Sequence, residues 1–231
     1  MYKTEAHVHT KEVSICGQAA AADIIRLYAE AGFDTVIVTD HINSGSFGKW
    51  VELTWEEKID RHKEGYEAAR EAGERLGVRV LYGAEIAFLT EDGHSNDYLV
   101  YDFDRDFLIG LESVYGGSVK EFYEYARSRG VTVIQAHPFR ERYCCPTPEL
   151  VDGVEVCNAH PRHTNHNDEA YKLAKERGLL MTAGSDVHML GDAARAYLLT
   201  SEPITSCKEY IRVLREGSAT LVTPDGEIKS R

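Results

Sequence analysis

The run Leu179-Leu180-Met181-Thr182-Ala183-Gly184-Ser185-Asp186-Val187-His188 passes from a short apolar segment directly into two residues able to bind a metal ion. Four other apolar runs end in the same way, at His7-Val8-His9, Thr39-Asp40-His41, Gly83-Ala84-Glu85 and His137-Pro138, with roughly 30 to 50 residues between successive endings. Alternate side chains of a β-strand share a face, so His7 and His9 can reach one ion, as can Asp186 and His188. A lone histidine at a strand end is usually only a polar residue meeting water. Here five of the ten histidines occupy such endings together with Asp40, Glu85 and Asp186. The joint pattern predicts a parallel sheet whose strands deliver metal ligands to one edge. Imidazole and carboxylate together suit zinc, manganese or iron in a site of catalytic type, with no cysteine required.

Outward from these endings the chain alternates between two periods. Residues 19–31 place Ala20, Ile24, Leu27, Tyr28 and Ala31 at helical spacing, and Thr35 to Thr39 then reads as a strand. From Trp55, the positions Ile59, His62, Tyr66, Ala69, Gly73 and Leu76 trace a long helical stripe ahead of the strand Val78 to Tyr82. His62, on that stripe, reads as a satisfied buried residue. The segments 119–129, 167–178 and 206–216 repeat the helical pattern, followed by the runs Val131 to Ile134, Leu179 to Ala183 and Ala219 to Val222. Gly32, Gly77, Gly130, Gly178 and Gly217 fall where these helices should stop. Five helix–glycine–strand units in series predict one barrel-like α/β domain over residues 1–231.

Composition narrows the function classes. A length of 231 residues is enough for one large core. A formal net charge of −12 argues against a nucleic-acid polymer as partner, because phosphate backbones are held mainly by Lys and Arg. Two or three divalent ions would still draw an anionic small molecule into the cleft. The five cysteines, Cys16, Cys144, Cys145, Cys157 and Cys207, form no disulfide framework and point to reduced thiols in the cytoplasm. The opening residues lack the apolar core of a signal peptide, and no apolar run approaches a membrane span. Nothing in the sequence sets an oligomeric state.

The motifs His7-Val8-His9-Thr10, Thr39-Asp40-His41, Gly83-Ala84-Glu85, His137-Pro138-Phe139-Arg140 and Gly184-Ser185-Asp186-Val187-His188 also stand in a familiar order. Over nearly the whole chain this order resembles the polymerase and histidinol phosphatase superfamily, the PHP domain. The resemblance implies a distorted seven-stranded β/α barrel, TIM-barrel-like, with two or three metal ions at the C-terminal ends of its strands and phosphoester hydrolysis as its chemistry. It implies one ion on His7, His9, Glu85 and Asp186, a second on Glu85 and His137, and a third on His41 and His188.

The chain departs from the family pattern in two places. Where many members carry a further histidine or aspartate after the first pair, this sequence reads Lys11-Glu12-Val13-Ser14, and Glu12 is the natural substitute ligand. Where many carry a histidine on the strand after the glutamate, the run Leu111-Glu112-Ser113-Val114-Tyr115 puts Tyr115 in its place. The second ion is then completed by His94, by water, or is not bound. Asn158 matches a strand-end asparagine of the family. His160, His163 and His166 are either substrate contacts or part of a polar loop capped at Asn165 or Asn167, with Asn158 and one histidine, His160, as the favoured contacts.

The chemistry expected from such a cluster is attack on phosphorus by a hydroxide bridging two ions. Arg140 and Arg162 are candidate phosphoryl clamps, and Asp40 either touches metal or orients a ligand histidine. The leading expectation is a phosphatase acting on the phosphate monoester of a small metabolite. Phosphodiester or nucleotide hydrolysis is an alternative on the same site, as are an amidohydrolase-like metal hydrolase and a non-catalytic metal-binding domain.

Overall fold

In the computed structural model, residues 1–90 and 95–230 are described. The chain runs β1 (Tyr2–Val8), α1 (Ala21–Glu30), β2 (Thr35–Val38), β3 (His41–Ile42), α2 (Ser44–Phe47), α3 (Trp55–Leu76), β4 (Arg79–Tyr82), β5 (Ala84–Leu89), β6 (Ser95–Tyr101) and α4 (Arg105–Gly110). It continues with α5 (Val119–Ser128), β7 (Thr132–Gln135), β8 (Gly153–Asn158), α6 (Asn167–Arg177), β9 (Leu180–Gly184), β10 (Tyr197–Thr200), α7 (Cys207–Glu216), β11 (Thr220–Thr223) and β12 (Gly226–Lys229). The helices begin and end on local chemistry. Thr54 and Glu57 close a capping box at the start of α3, Ser118 and Glu121 do so for α5, and Gly77 ends α3 in the left-handed region at φ 75°.

Two sheets carry the strands, in the orders β12-β11-β10-β1-β2-β4 and β3-β5-β6-β7-β8-β9. They meet along two seams. At one, Val8 bridges Val187 beyond the end of β9, with His9 N–H donating to Val187 O at 2.9 Å. At the other, β2 passes into β3 and β4 into β5, where Gly83 N–H reaches Val38 O at 2.8 Å and Glu85 N–H reaches Asp40 O at 3.1 Å. This is the distorted, barrel-like α/β architecture expected, with β1, β2–β3, β4–β5, β6, β7, β8 and β9 as successive staves. Both faces of the sheets are covered. On β2, Val36 and Val38 pack with Ile24, Ile25, Tyr28 and Ala69 of the flanking helices, while Ile37 joins Ala6, Ile86, Leu99 and Tyr101 on the opposite side.

The expectation that all strands run parallel is corrected at two places. β6 lies antiparallel to both β5 and β7. Its connection from β5 is a handful of residues, too short for the dozen or more that a parallel crossover needs. The run after α7 is a strand, but β11 pairs antiparallel with β10 and β12, and β10 pairs antiparallel with β1. The last helix–glycine–strand unit therefore extends the sheet outward and adds no ligand-bearing stave.

One close approach ties α3 to the strand ends. A Cβ at Gly65 would stand 2.3 Å from both Asp40 Oδ2 and Thr10 Oγ1, which hydrogen-bond each other at 2.7 Å. Alanine is intrinsically better than glycine inside a helix by about 1 kcal/mol. Here Gly65→Ala should nevertheless destabilise the fold, by about 1–3 kcal/mol, because both facing atoms are held in place. Urea denaturation of the two proteins measures this, and equal or greater stability of the variant would refute the packing account.

Candidate metal centre

The strand endings converge. His7 closes β1 with Val8, and His9 follows it; His41 opens β3; Glu85 lies on β5; His137 follows β7; Asp186 and His188 follow β9. Both oxygens of Glu85 sit among four imidazoles: Oε1 is 3.3 Å from His7 Nε2 and 3.3 Å from His137 Nε2, and Oε2 is 3.2 Å from His9 Nε2 and 3.0 Å from His41 Nδ1. His7 Nε2 and His9 Nε2 are 3.0 Å apart, and Asp186 Oδ1 lies 3.5 and 3.3 Å from them. Yet Glu85 Oε1, Glu85 Oε2 and His41 Nδ1 are buried with no aligned hydrogen-bond partner. Buried polar atoms are nearly always paired, so donors crowded together but unpaired point to something they share. Ligand atoms about 2.0–2.2 Å from one ion at near-tetrahedral or octahedral angles lie roughly 3.0–3.5 Å from each other. The residues present fit divalent metal ions.

Electrostatics agree with that fit. Burial holds His41 and His137 below the usual histidine range, helped by positive charge on His9 and Arg140 respectively, and burial takes His188 down to about 4. These three offer neutral nitrogens. His7 and His9 go the other way. Burial disfavours their charge, but Glu155, Glu85 and Asp186 raise His7, and Asp186 and Glu85 raise His9 to about 9.

Each candidate ligand is tethered by a residue from another part of the fold. His7 Nδ1 donates to Glu155 Oε1 at 3.0 Å, which leaves Nε2 turned to the cluster, and Glu155 Oε2 takes His137 N–H at 3.1 Å. A Cβ at Gly184 would meet His7 Cβ at 2.5 Å and Glu155 Oε1 at 2.8 Å, so glycine keeps that space. Asp186 Oδ2 accepts from Arg140 and from Asn158 Nδ2, and Arg140 also donates to Asn158 Oδ1 and Asn165 Oδ1. His188 Nδ1 is 3.0 Å from Asp186 O. Asp186 and His137 both have positive φ, 53° and 30°. For histidine this is a strained conformation of the kind that collects at functional sites.

Several candidate residues take other places than expected. Glu12 does not enter the cluster: both its oxygens accept Ala21 N–H, at 3.2 Å, at the start of α1. Ser14 comes inward instead, its Oγ 3.4 Å from His9 Nδ1 while it donates to Asp40 Oδ1 at 2.6 Å. Asp40 therefore acts at one remove. Its oxygens are taken by Thr10 and Ser14, so it is no catalytic group in direct contact with the centre. Arg162 is held by both oxygens of Asp192 at 2.7 Å and donates to His160 Nε2 at 3.0 Å, and so is already paired. His160 is buried with its ring 5.0 Å from that of His188. Asn165 and Asn167 do not cap α6, whose N-cap is His166 without a side-chain bond. His62 is buried, paired with Tyr82 OH at 2.6 Å and Asp40 O at 2.8 Å, as expected. His94 lies outside the described residues.

Tyr115 is remote from the centre, packed against Trp55 and Phe88. The strand after the glutamate is β6, and Asp97 on it turns its carboxylate toward His137 Nε2 at 3.9 Å. Sequence reasoning missed Asp97 because the antiparallel return was not recognised; the apolar run Tyr98-Leu99-Val100-Tyr101 that follows it was the available signal of a strand. Glu155 was missed for a different reason, being one polar residue inside an otherwise apolar strand. Cys144, with Sγ 3.5 Å from His137 Nδ1, came together with Asp97 and His137 only through the fold.

Two substitutions separate these roles. Glu155→Gln should weaken metal binding by about 10–100-fold, because His7 loses the charged partner that orients it. Glu12→Gln should leave metal binding unchanged and cost about 0.3–1 kcal/mol of stability at the start of α1. Metal titration by calorimetry alongside thermal unfolding checks both, and the opposite ranking would overturn this division.

Known proteins share the family and the fold of this chain. Residues 5–176 match the family model of the PHP domain, and residues 164–219 match a PHP-associated model. A search of curated proteins finds no match. One similar solved structure is a two-domain protein from Bacteroides vulgatus containing a predicted PHP-like metal-dependent phosphoesterase, at 18% identity and TM-score 0.67, covering 96% of this chain and 64% of that one. Another is a proposed metal-dependent phosphoesterase from Bifidobacterium adolescentis, at 17% identity and TM-score 0.57, covering 93% of this chain and 96% of that one. A third is a lesion-specific endonuclease from Pyrococcus furiosus, at 13% identity and TM-score 0.59, covering 96% and 57%. The chain thus spans less than two thirds of the first and third of these proteins. At such identities the likeness speaks for the fold, while the family models span the candidate ligands from His7 to His188: the chain belongs to the PHP domain family.

Proposed function

We propose that this chain is a metal-dependent phosphoesterase that hydrolyses the phosphate monoester of a small metabolite, with residues 1–231 acting as one PHP-type domain in the cytoplasm. The observation that carries the reading is Glu85, a buried carboxylate whose oxygens lie among four imidazoles without an aligned hydrogen bond. His7, His9, Glu85 and Asp186 would hold one ion, Glu85, His137 and Asp97 a second, and His41 with His188 a third, each zinc, manganese or iron. Bound there, such ions supply charge neutralisation for a phosphoryl group and acidify water.

The protein's own groups set the rest. Arg140 fixes Asp186, Glu155 fixes His7, and the Asp40–Ser14 pair steadies His9 and the backbone of His41. The acidic surface, with net charge −12, favours a small ester over a nucleic-acid polymer. No described helix is long and apolar enough to cross a membrane, and the five cysteines are free, in keeping with a reducing compartment.

Proton linkage supplies one test. His9, raised to about 9 by Asp186 and Glu85, carries at neutral pH a proton that a divalent ion must displace, and Glu155, Glu85 and Asp186 raise His7 in the same direction. Metal affinity should therefore rise with pH up to about 9, and loading at pH 7 should release on the order of one to two protons per chain. Calorimetry in buffers of different ionisation enthalpy measures the release; uptake of protons, or none, would contradict it. Turnover supplies the other test. The metal-loaded protein should hydrolyse phosphate monoesters faster than bis-esters or single-stranded DNA, and His9→Ala or Asp186→Ala should lower kcat/KM by at least on the order of 100-fold. Faster cleavage of a diester would transfer the assignment to phosphodiester chemistry.

A further inference from the structure

Four histidines of the candidate centre have a partner on Nδ1. Glu155 Oε1 stands 3.0 Å from that of His7, Ser14 Oγ 3.4 Å from that of His9, and Asp186 O 3.0 Å from that of His188. The fourth is His137. Its Nδ1 faces the Sγ of half-buried Cys144 at 3.5 Å, while its Nε2 lies 3.3 Å from Glu85 Oε1 and 3.9 Å from Asp97 Oδ2. An imidazole that binds metal almost always gives its other N–H to such a partner, which fixes the tautomer and the plane of the ring. Glu85 Oε1, buried and without an aligned hydrogen bond, marks the side of His137 on which an ion would sit.

The chain on both sides of Cys144 is pinned to the strand ends. Tyr143 O accepts Ser95 N–H at 3.1 Å, Cys145 N–H donates to Asn96 Oδ1 at 3.0 Å, and Cys145 O accepts Asn96 Nδ2 and Gln135 Nε2, both at 2.8 Å. Gln135 Oε1 accepts Thr147 N–H at 2.9 Å. Asn96 and Gln135 are fully buried; the first precedes Asp97 on β6, and the second stands two residues before His137 on β7. Buried amides are costly unless bonded, so these contacts hold the loop and the two strand ends as one unit. The side chain that the loop delivers to the centre is Cys144. Its S–H is directed to Ser95 O at 3.6 Å, which leaves a sulfur lone pair for Nδ1–H of His137.

We propose that Cys144 is a positioning residue of the metal centre: its sulfur accepts Nδ1–H of His137 and so turns Nε2 toward the ion that His137 would share with Glu85 and Asp97. This rests on the metal reading of the centre and adds a residue to it. Thiol sulfur is a weak acceptor, so Cys144 orients His137 without making it as basic as Glu155 makes His7.

Zinc and cobalt titrations of the full chain and two variants test this. Cys144→Ala should weaken the binding of one ion by about 10-fold, the low end for a residue that orients a ligand, and leave the others unchanged. Cys144→Ser keeps a group that accepts Nδ1–H and should restore most of that affinity. A sulfur that only packs gives the opposite order, because alanine suits an apolar contact better than serine. Nitrogen-15 NMR of the zinc-loaded protein should show one histidine Nδ1–H whose resonance moves in Cys144→Ser and which exchanges faster with water in Cys144→Ala. Equal affinities in all three proteins, alanine outperforming serine, or an unmoved resonance would overturn the role while leaving the metal reading intact. A sulfur-to-cobalt charge-transfer band that disappears in Cys144→Ser would overturn it as well, by making the thiol a ligand itself. If the unaltered chain binds neither metal, the metal reading falls and the role of Cys144 falls with it.

Discussion

Glu85 is the constraint around which the rest is arranged. A buried carboxylate with no aligned hydrogen bond is costly, and only positive charge close by can offset the lost hydration. The histidines that crowd Glu85 come from β1, β3 and the end of β7, so no local segment could assemble them. His7 and His9, both raised above the usual histidine range by the carboxylates around them, bring positive charge to it. Divalent ions would supply it more fully, and metal binding, protonation and the integrity of the strand ends would then be one coupled equilibrium.

Around Glu85 the fold spends buried polar residues on orientation. Glu155 reaches His7 through the ring and His137 through the backbone, so a single carboxylate on β8 sets ligands from β1 and β7. Arg140 does the same for Asp186 across the β7–β9 side. Asp40 works at one remove through Thr10 and Ser14, and α3 can pack over that arrangement only because residue 65 is glycine. These contacts explain how His137 and Asp186 are kept at positive φ: each is held by partners on other strands that leave it no relaxed alternative.

The arginines show how charge and function part company. Both lie where a phosphate clamp would be useful, yet Arg140 is buried holding a candidate ligand and Arg162 is paired with Asp192. In a chain of net charge −12, local attraction for anions is then left to the candidate cluster itself.

Much of this was legible in the sequence because strands and ligands are local patterns. The periodicity of α3, the glycine at its end and the two-residue spacing of His7 and His9 each follow from backbone geometry that a short window contains. Glu12 could not be judged that way. Glu12 and Ser14 are two residues apart, and which of them faces His9 depends on the turn after β1 and on where α1 begins. Asp97 required knowing that β6 runs antiparallel, and Glu155 required the register of β8 against β9, since a lone acidic residue in an apolar strand has no meaning until its neighbour across the barrel is known. Sequence by itself determined most of the elements, the family and most of the candidate ligands that the fold brings together, because these are written in residue type and spacing. Tertiary structure alone decided which carboxylates face the candidate cluster and which hold its histidines, because that depends on contacts between residues as far apart as His7 and Glu155.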